Sequence, residues 1–426
     1  TKVDKNRYED FTGVVGAFSR IMSDTTVKKG YELEIIKKKM REKMEDCIDK
    51  EFEILFRIVE NMYFEKGKLL PLNAKALNYV ESNITQKQVA EYLYSLFVDS
   101  TNLKERYKKM EKKEDTNILE QLVFDSLEGK QNGEEAVITK STCFLPYVKE
   151  VFIKDFEILI QDTNTYQNNI NRFLAYYYMF YVSQLAVKLN KFEKGERGKI
   201  EEIYLTLYEE VVTKVRRGYE YGWKYVRDKL SHMFSHAVVL EMLSHNIENK
   251  HMDYIDIEKR FNDADDDKNV SLEIYSIREK YMNWIPLDYS GCKHDFKSDG
   301  SCLTSIEVKR LYETVDYQFI HGGRISHYNG FVRKYIDFVQ KNFGKFRGVY
   351  GYTLSVHESD IVMFVKIILK ENGGKIGLTK LFEEFEKRGL LFDRESKKKI
   401  ILLLEKMNLL EKRSDSGDAQ YVKYIL

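Results

Sequence analysis

Proline is scarce in this chain of 426 residues, which contains only 3 prolines. Together with a charged fraction of 32%, this scarcity is typical of long helices joined by few rigid loops. The 4 cysteines are too few and too scattered for a disulfide framework, so we expect a protein of the reducing cytoplasm. The net charge of +1 excludes a general attraction to polyanions, and any nucleic-acid surface must therefore be local.

The sequence also lacks the common signatures of nucleotide and metal chemistry. It has no GxxxxGK(S/T) phosphate loop, no CxxC pair and no carboxylate cluster with the spacing of a two-metal nuclease. Its most apolar window, residues 173–187, is shorter than a bilayer span and contains Gln184, so it predicts a helix buried on all sides. We therefore expect no cofactor and no membrane contact, and the sequence favours a non-catalytic protein.

Apolar residues at helical spacing predict a mainly α protein. Near the start of the chain, this spacing predicts one long helix from Glu32 to Met62, and Thr85 with Gln88 predicts a capping box for a later helix. A glycine- and glutamate-rich stretch then indicates a first linker. The predicted regions are a helical N-terminal region (1–135), a helical middle domain with a glycine-rich basic segment (136–350) and a C-terminal winged-helix domain (351–426).

The C-terminal region has the pattern of a winged helix-turn-helix. Ser359 and Asp360 are caps for a helix over residues 361–370, and two further helices follow, the last one beginning after Asp393. The chain then alternates as strand, turn and strand over residues 409–426, a hairpin in the place of a wing. The third helix is the candidate recognition helix.

Cations near the start of the third helix are the main candidates for DNA contact, because lysine and arginine neutralise phosphates with release of counterions. Protein docking is the alternative for this region, since it has 14 Lys and Arg against 12 Asp and Glu, and Asp415 and Asp418 lie in the turn of the wing. The candidate DNA-binding residues are Arg394, Lys397, Lys398, Lys399, Lys412 and Arg413, with Arg333, Lys334 and Arg347 from the middle domain.

Two stretches of the middle domain are also basic. Residues 317–350 carry six positive charges and one negative charge among several glycines, which suits either phosphate contact or a solvated face. Residues 214–229 alternate cations with aromatic rings, a pattern of single-strand stacking sites. We favour the simpler interpretation of the second stretch, an amphipathic helix whose lysine and arginine stems cover aromatic rings.

Residues 291–327 contain the candidate metal ligands of the chain. Cys292, His294 and Cys302 are weak candidates, with His321 and His327 further along. Their spacing matches no common zinc module, and isolated cysteines and histidines usually serve packing, so we predict no metal site. A metal-dependent nuclease built on this region is nevertheless an alternative function.

A resemblance to a known family lies in three C-terminal segments, supported by three earlier ones: residues 382–389, 392–398 and 411–423, with 173–189, 219–224 and 234–236. These segments resemble the DptG family, a subunit of DNA-phosphorothioation-dependent restriction systems. The resemblance covers the chain from Phe144 onward. It implies a bacterial defence complex of three subunits that attacks DNA lacking the phosphorothioate mark. The other two subunits would carry ATPase or helicase-like activity. It therefore implies a DNA-binding and scaffolding subunit whose partners are duplex DNA and the other subunits, and it supplies no catalytic residues.

Overall fold

The predicted mainly α class is confirmed, since helices hold 66% of the residues and strands 7%, with a small β-hairpin near the C-terminus. The chain forms two compact units, and their boundary falls within one long helix. The predicted division at residues 135 and 350 stays a prediction. The computed structural model describes residues 7–26, 33–113, 116–127, 131–132, 140–244, 252–294, 300–412 and 420–424. The first unit holds residues 1–143 and 149–177, and the second holds 144–148 and 178–426.

The first unit is built from short helices and two-residue strands, together with one π-helical turn at Tyr94–Val98. The last helix, α9, continues into the second unit. The elements are α1 (Thr12–Ser23), β1 (Thr25–Thr26), α2 (Leu33–Lys43), α3 (Asp49–Tyr63), β2 (Phe64–Glu65), β3 (Lys68–Leu69), α4 (Ala74–Leu77), α5 (Ile84–Leu93), α6 (Leu103–Lys113), α7 (Ile118–Ser126), β4 (Gln131–Asn132), α8 (Pro146–Leu159) and α9 (Thr163–Leu189).

The predicted single helix from Glu32 to Met62 is wrong, because the chain turns between α2 and α3. Arg41 donates to the backbone oxygen of Met44 at 2.7 Å and pairs with Asp49 at 2.7 Å, which closes the turn. The two helices return alongside each other and bury their apolar faces in one cluster, which a single straight helix cannot do.

The prediction that residues 173–187 form a buried helix is confirmed by α9. Within the first unit its aromatic residues join a stacked core. The ring of Phe152 lies 4.5 Å from that of Phe97 and 5.1 Å from that of Tyr177, centroid to centroid. The hydroxyl of Tyr177 donates to Asp155 at 2.6 Å, which satisfies the buried polar end of the ring.

The second unit combines helices with two small sheets. It also contains short 3-10 turns at Phe192–Lys194 and Gly348–Tyr350. The elements after α9 are β5 (Tyr204–Leu207), α10 (Arg217–Glu220), α11 (Trp223–Ser231), α12 (Met233–Ser244), α13 (Tyr254–Phe261), α14 (Asp267–Trp284), α15 (Leu303–His321), α16 (Ile325–Phe343), β6 (Gly344–Phe346), β7 (Tyr352–Val356), α17 (Glu358–Glu371), β8 (Lys375–Gly377), α18 (Leu378–Lys387), β9 (Leu391–Phe392), α19 (Arg394–Lys406), β10 (Leu410–Lys412) and β11 (Gln420–Lys423).

A four-stranded sheet of order β6-β7-β5-β9 lies in the second unit. Its central strand β5 pairs in parallel with β7 and with β9, placing Leu205 opposite Phe392. Every residue of β5 is buried, as expected for a strand with neighbours on both edges. Because β9 immediately precedes α19, this pairing fixes where the last helix begins.

The predicted C-terminal hairpin is confirmed in its two strands. β10 pairs antiparallel with β11, with Leu410 opposite Val422, and β11 pairs in turn with β8. Val422 and Ile376 are both buried at the centre of this three-stranded sheet. The turn of the hairpin, including Arg413, Asp415 and Asp418, lies outside the described residues.

Candidate nucleic-acid interface

Helix α19 presents a basic face to solvent. Asp393 caps the helix by accepting a hydrogen bond from the backbone N–H of Ser396 at 3.1 Å, as the sequence predicts. Ile400 and Leu404 are fully buried, so the opposite side of the helix is exposed. The exposed side chains of α19 are Arg394, Glu395, Lys398, Lys399, Leu402 and Lys406. Four cations therefore share this face with one carboxylate.

The start of α19 is anchored by a nearly buried ionic network. Arg216 donates to both carboxylate oxygens of Asp393, at 2.6 and 3.0 Å, and also contacts Glu210 at 3.1 Å. The hydroxyl of Ser396 donates to Glu210 at 2.7 Å. Burial raises the pKa of Asp393, but the hydrogen bonds and charge of Arg216 outweigh it and hold that pKa below its usual range. The network fixes the N-terminus of α19 to the segment after β5.

We expect Asp393→Ala to lower the free energy of unfolding by about 2–3 kcal/mol, because the helix loses its cap and Arg216 loses its bidentate partner. Chemical denaturation of the parent, Asp393→Ala, Arg216→Ala and the double variant measures this cost. The double variant should be less destabilised than the sum of the two single variants by at least about 1 kcal/mol. Additive effects would contradict the pairing.

The predicted DNA-binding cations of α19 differ in whether they form ion pairs within the fold. Lys397 lies above the ring of Phe382 and pairs with Glu386 at 2.9 Å, and Lys398 pairs with Glu395 at 2.8 Å. Arg394 and Lys399, by contrast, are exposed and make no ion pair or hydrogen bond within the described part of the chain. Exposed cations without partners are the ones that a phosphate can reach without competition.

Sequence reasoning missed two features of this surface. Lys406 and Leu402 lie on the exposed face of α19, and helical spacing from Lys398 and Lys399 would have found both. Arg217 also belongs here, since an open cleft beside the helix includes it. Its guanidinium carbon lies 5.5 Å from the centre of the Tyr204 ring, one of its nitrogens donates to the Tyr204 hydroxyl at 2.6 Å, and its side chain is 63% exposed. The residues lining this cleft are Tyr204, Arg217, Phe392, Asp393, Arg394, Lys397, Lys398 and Ile401.

The remaining predicted DNA-binding residues lie apart from α19 in the chain. Arg333 and Lys334 are exposed on α16, and neither makes an ion pair or hydrogen bond with other described residues. Arg347 instead donates to the backbone oxygens of Glu210 and Leu207, at 2.6 and 3.0 Å, so its charge serves the fold. The side chain of Lys412 and all of Arg413 lie outside the described residues.

The structure does not bring the weak metal candidates together. The Sγ of Cys302 contacts a carboxylate oxygen of Glu258 at 3.3 Å, and His294 lies between Glu313 and Arg278. Burial raises the pKa of the Cys292 thiol and so disfavours its thiolate. Among the described residues, no three His, Cys, Asp or Glu side chains are placed to hold a metal ion. His321 stacks on Tyr317, His327 is exposed, and residues 295–299 lie outside the described residues.

A partly buried carboxylate, Asp316, accepts several hydrogen bonds in the second unit. Ser235 and Tyr328 donate to it at 2.7 and 2.8 Å, and His232 lies 3.5 Å away. Burial raises the pKa of Asp316, yet these three hydrogen bonds lower it below its usual range. Because the Ser235 hydroxyl donates to the carboxylate rather than to an imidazole, the cluster does not have the arrangement of an activated nucleophile.

No protein-family model matches this chain, and no curated protein matches it significantly. The resemblance to the DptG family therefore stays a prediction. Across the described ranges, none of the helices combines the length and the apolar character needed to cross a bilayer.

Proposed function

We propose that residues 352–424 form a winged helix and that α19 is its DNA-contacting helix. The element order supports this proposal, because α17, β8, α18 and α19 are followed by the hairpin of β10 and β11, and β8 joins that hairpin as a third strand. In helix-turn-helix proteins the later helix of this kind enters the major groove of duplex DNA.

The observation that carries the proposal is the exposed face of α19, with Arg394, Lys398, Lys399 and Lys406 against Glu395. A helix about 10–12 Å across matches a major groove about 12 Å wide. Cations along the inserted face would neutralise phosphates on both sides of the groove. Leu402, 55% exposed among these cations, is suited to the apolar contact that a thymine methyl offers.

The cleft beside α19 extends this surface towards β5. Arg217 and Arg394 both line it, and each presents an exposed guanidinium. Arginine forks bind phosphate oxygens with two parallel hydrogen bonds, which would fix the register of the backbone along the helix. We assign phosphate positioning to these two residues and groove contact to the exposed face of α19.

The resemblance to DptG extends the proposal to a cellular role. In that role the chain holds unmodified duplex DNA for the other subunits of a phosphorothioation-dependent restriction complex and performs no catalysis itself. This part rests on the resemblance of residues 382–389, 392–398 and 411–423 to the family. Its test is co-purification of the chain with an ATPase or helicase-like subunit.

Three cations of α19 have no ion pair among the described residues, so reversing them tests DNA contact without breaking an ion pair seen in the structure. We expect the triple variant Arg394→Glu, Lys399→Glu, Lys406→Glu to bind duplex DNA roughly 100-fold more weakly than the parent at about 0.1 M salt. The slope of log affinity against log salt should also become shallower by about 2–3, since roughly 0.9 is lost for each phosphate contact. Fluorescence anisotropy with a labelled 30-base-pair duplex, at several salt concentrations, measures both quantities.

A matched control carries the same change of charge on the first unit. Lys38, Lys109 and Lys112 are exposed on α2 and α6 and have no ion pair or hydrogen bond in the described structure. Their triple reversal to glutamate should leave DNA affinity within about threefold, since surface charges that do not contact the duplex are screened by salt. Equal losses in the two variants would indicate general charge attraction. Unchanged binding by the α19 variant would leave protein docking as the function of this surface.

A further inference from the structure

A second surface, which shares no lining residue with the cleft beside α19, combines aromatic rings with exposed cations. It is an open cleft, here called the aromatic cleft, formed by α10, α11 and the turn between β6 and β7. Its aromatic residues come from stretches about 125 residues apart in sequence, so the fold and not a local motif assembles them. The residues lining the aromatic cleft are Tyr219, Glu220, Trp223, Lys224, Tyr225, Arg227, Asp228, Ser231, Tyr350, Gly351 and Tyr352.

The two walls of the aromatic cleft are held in place by contacts around Tyr350. Its ring packs edge-on against Tyr219, with centroids 5.9 Å apart, and the ammonium of Lys214 lies 5.4 Å from its centre. Behind the turn, Arg347 donates to two backbone oxygens of the segment after β5. Gly351 has φ +71°, and a Cβ there would meet nothing within 4 Å, so the turn leaves open space beside the rings. The rings therefore form a fixed and accessible platform.

The rim of the aromatic cleft carries two cations, Lys224 and Arg227, and two acids, Glu220 and Asp228. Lys224 and Arg227 are exposed and make no ion pair or hydrogen bond in the portion of the chain that the structure describes. Of the two nearby acids, Asp228 is partly neutralised by Lys229 at 3.0 Å. Lys224 and Arg227 on α11 are thus available to bind a negatively charged ligand.

Trp223 gives an independent indication of a ligand at the aromatic cleft. Its side chain lines the cleft but is only 3% exposed. The indole Nε1 is buried and has no hydrogen-bond partner among the described residues. Buried donors are nearly always satisfied in folded proteins, so an unsatisfied one beside an open cleft is consistent with a partner other than the described residues.

We propose that the aromatic cleft binds single-stranded nucleic acid. Aromatic faces stack on unpaired bases of any sequence, while lysine and arginine hold the intervening phosphates. Bases would stack on Tyr219, Tyr350 or Tyr352, and Lys224 and Arg227 would contact the backbone. Duplex DNA cannot use the rings in this way, because its bases are stacked on one another. The proposal goes beyond duplex contact by α19 and does not depend on it.

Binding of a labelled 12-nucleotide oligothymidine, measured by anisotropy at about 50 mM salt, tests the proposal. We expect Tyr352→Ala to weaken this binding about 5- to 100-fold through loss of one stacked base, and Tyr352→Phe to retain it. Lys224→Glu with Arg227→Glu should weaken it by at least as much and reduce its salt dependence. Tyr275→Ala, which removes a tyrosine 44% exposed on α14, is the matched control and should bind as the parent does.

A spectroscopic readout places the strand in the cleft. The chain has 2 tryptophans, and the second, Trp284, is 81% exposed, so Trp284→Phe leaves Trp223 as the sole tryptophan at little cost to the fold. Oligothymidine should quench the Trp223 fluorescence of this variant with the same concentration dependence as the anisotropy change. Binding of oligothymidine without quenching would place the strand elsewhere and overturn the proposal.

The two surfaces are separable by their variants. The α19 triple reversal should lose duplex binding and keep oligothymidine binding, whereas the Lys224 and Arg227 reversal should do the opposite. The proposal is overturned if the parent does not bind oligothymidine, or if the cleft variants bind it unchanged. Binding of a proline-rich peptide in place of the oligonucleotide would equally overturn it and make the cleft a peptide-recognition groove.

Discussion

Replacement of Arg388 by alanine is expected to lower the free energy of unfolding by about 3–5 kcal/mol. Arg388 is only 2% exposed at the end of α18. One terminal nitrogen donates to the carboxylate of Glu384 at 2.8 Å, and the other donates to Glu371 at 2.7 Å, which joins α18 to the end of α17. Removing the guanidinium leaves two carboxylates without their shared buried partner, and this loss costs more than the pair contributes by itself.

Lys387 provides the matched control for Arg388, because it pairs with the same carboxylate from the surface. Its ammonium lies 2.7 Å from Glu384 and its side chain is 62% exposed, so Lys387→Ala should cost less than about 1 kcal/mol. Arg388→Met, which keeps volume, should be intermediate between the two. Urea denaturation followed by circular dichroism distinguishes these variants. Equal costs for Arg388→Ala and Lys387→Ala would contradict the importance of burial.

The C-terminal elements were largely predictable because their signals are local. Asp393 and Ser396 are three residues apart, and the capping bond that their spacing predicts is present at the start of α19. The end of α18 has an equally local mark, since Gly389 has φ +74°, a conformation that glycine favours. The sequence does not show the second reason for glycine at this position, which is a contact with a distant part of the chain. A Cβ on Gly389 would lie 2.1 Å from the ring of Phe180 on α9, about 200 residues earlier in the chain.

Caps were misplaced where several residues competed for one helix start. The sequence predicts Thr85 with Gln88 at the start of α5, but the capping box is formed two residues earlier by Asn83 and Gln86. At α17 the predicted cap Asp360 acts three residues inside the helix, where it accepts a hydrogen bond from the backbone N–H of His357 at 2.9 Å. Both errors have the same cause, because neighbouring polar residues all satisfy the pattern and only the backbone path selects among them.

The composition of the candidate interface depended on contacts that no local pattern encodes. Parallel pairing of β5 with β9 brings Arg217 to the start of α19 across about 180 residues. A contact of the same kind makes Arg347 a weaker candidate for DNA contact, because its guanidinium donates to backbone oxygens of β5 and the segment after it. Charge in the sequence therefore indicated the helix that the proposal uses but not all the residues of its surface, because the sequence does not show which cations are already paired within the fold.

The second large effect that we expect is a loss of stability in mild acid, caused by His236. Its ring is buried, stacks on Tyr312 with centroids 4.3 Å apart, and places Nδ1 2.8 Å from the hydroxyl of Tyr254. Burial, with a smaller contribution from the charge of His232, lowers the pKa of His236 from 6.5 to about 3. The folded chain thus keeps this imidazole neutral at a pH where the unfolded chain protonates it.

The sign of the effect follows from which state binds the proton. The contribution of neutral His236 is fully present above pH 6.5 and is lost as the pH falls towards the folded pKa, by about 1.4 kcal/mol per pH unit. Between pH 7 and 5 the parent should therefore lose about 2 kcal/mol more than His236→Phe, which keeps the stacked ring but cannot titrate. Asp316, Glu384 and Asp393, whose pKa values the fold lowers, contribute little in this window, because they bind protons below it in both states. Urea denaturation of both proteins at each half pH unit measures the difference, and parallel pH profiles for the two would show that His236 is protonated in the folded state.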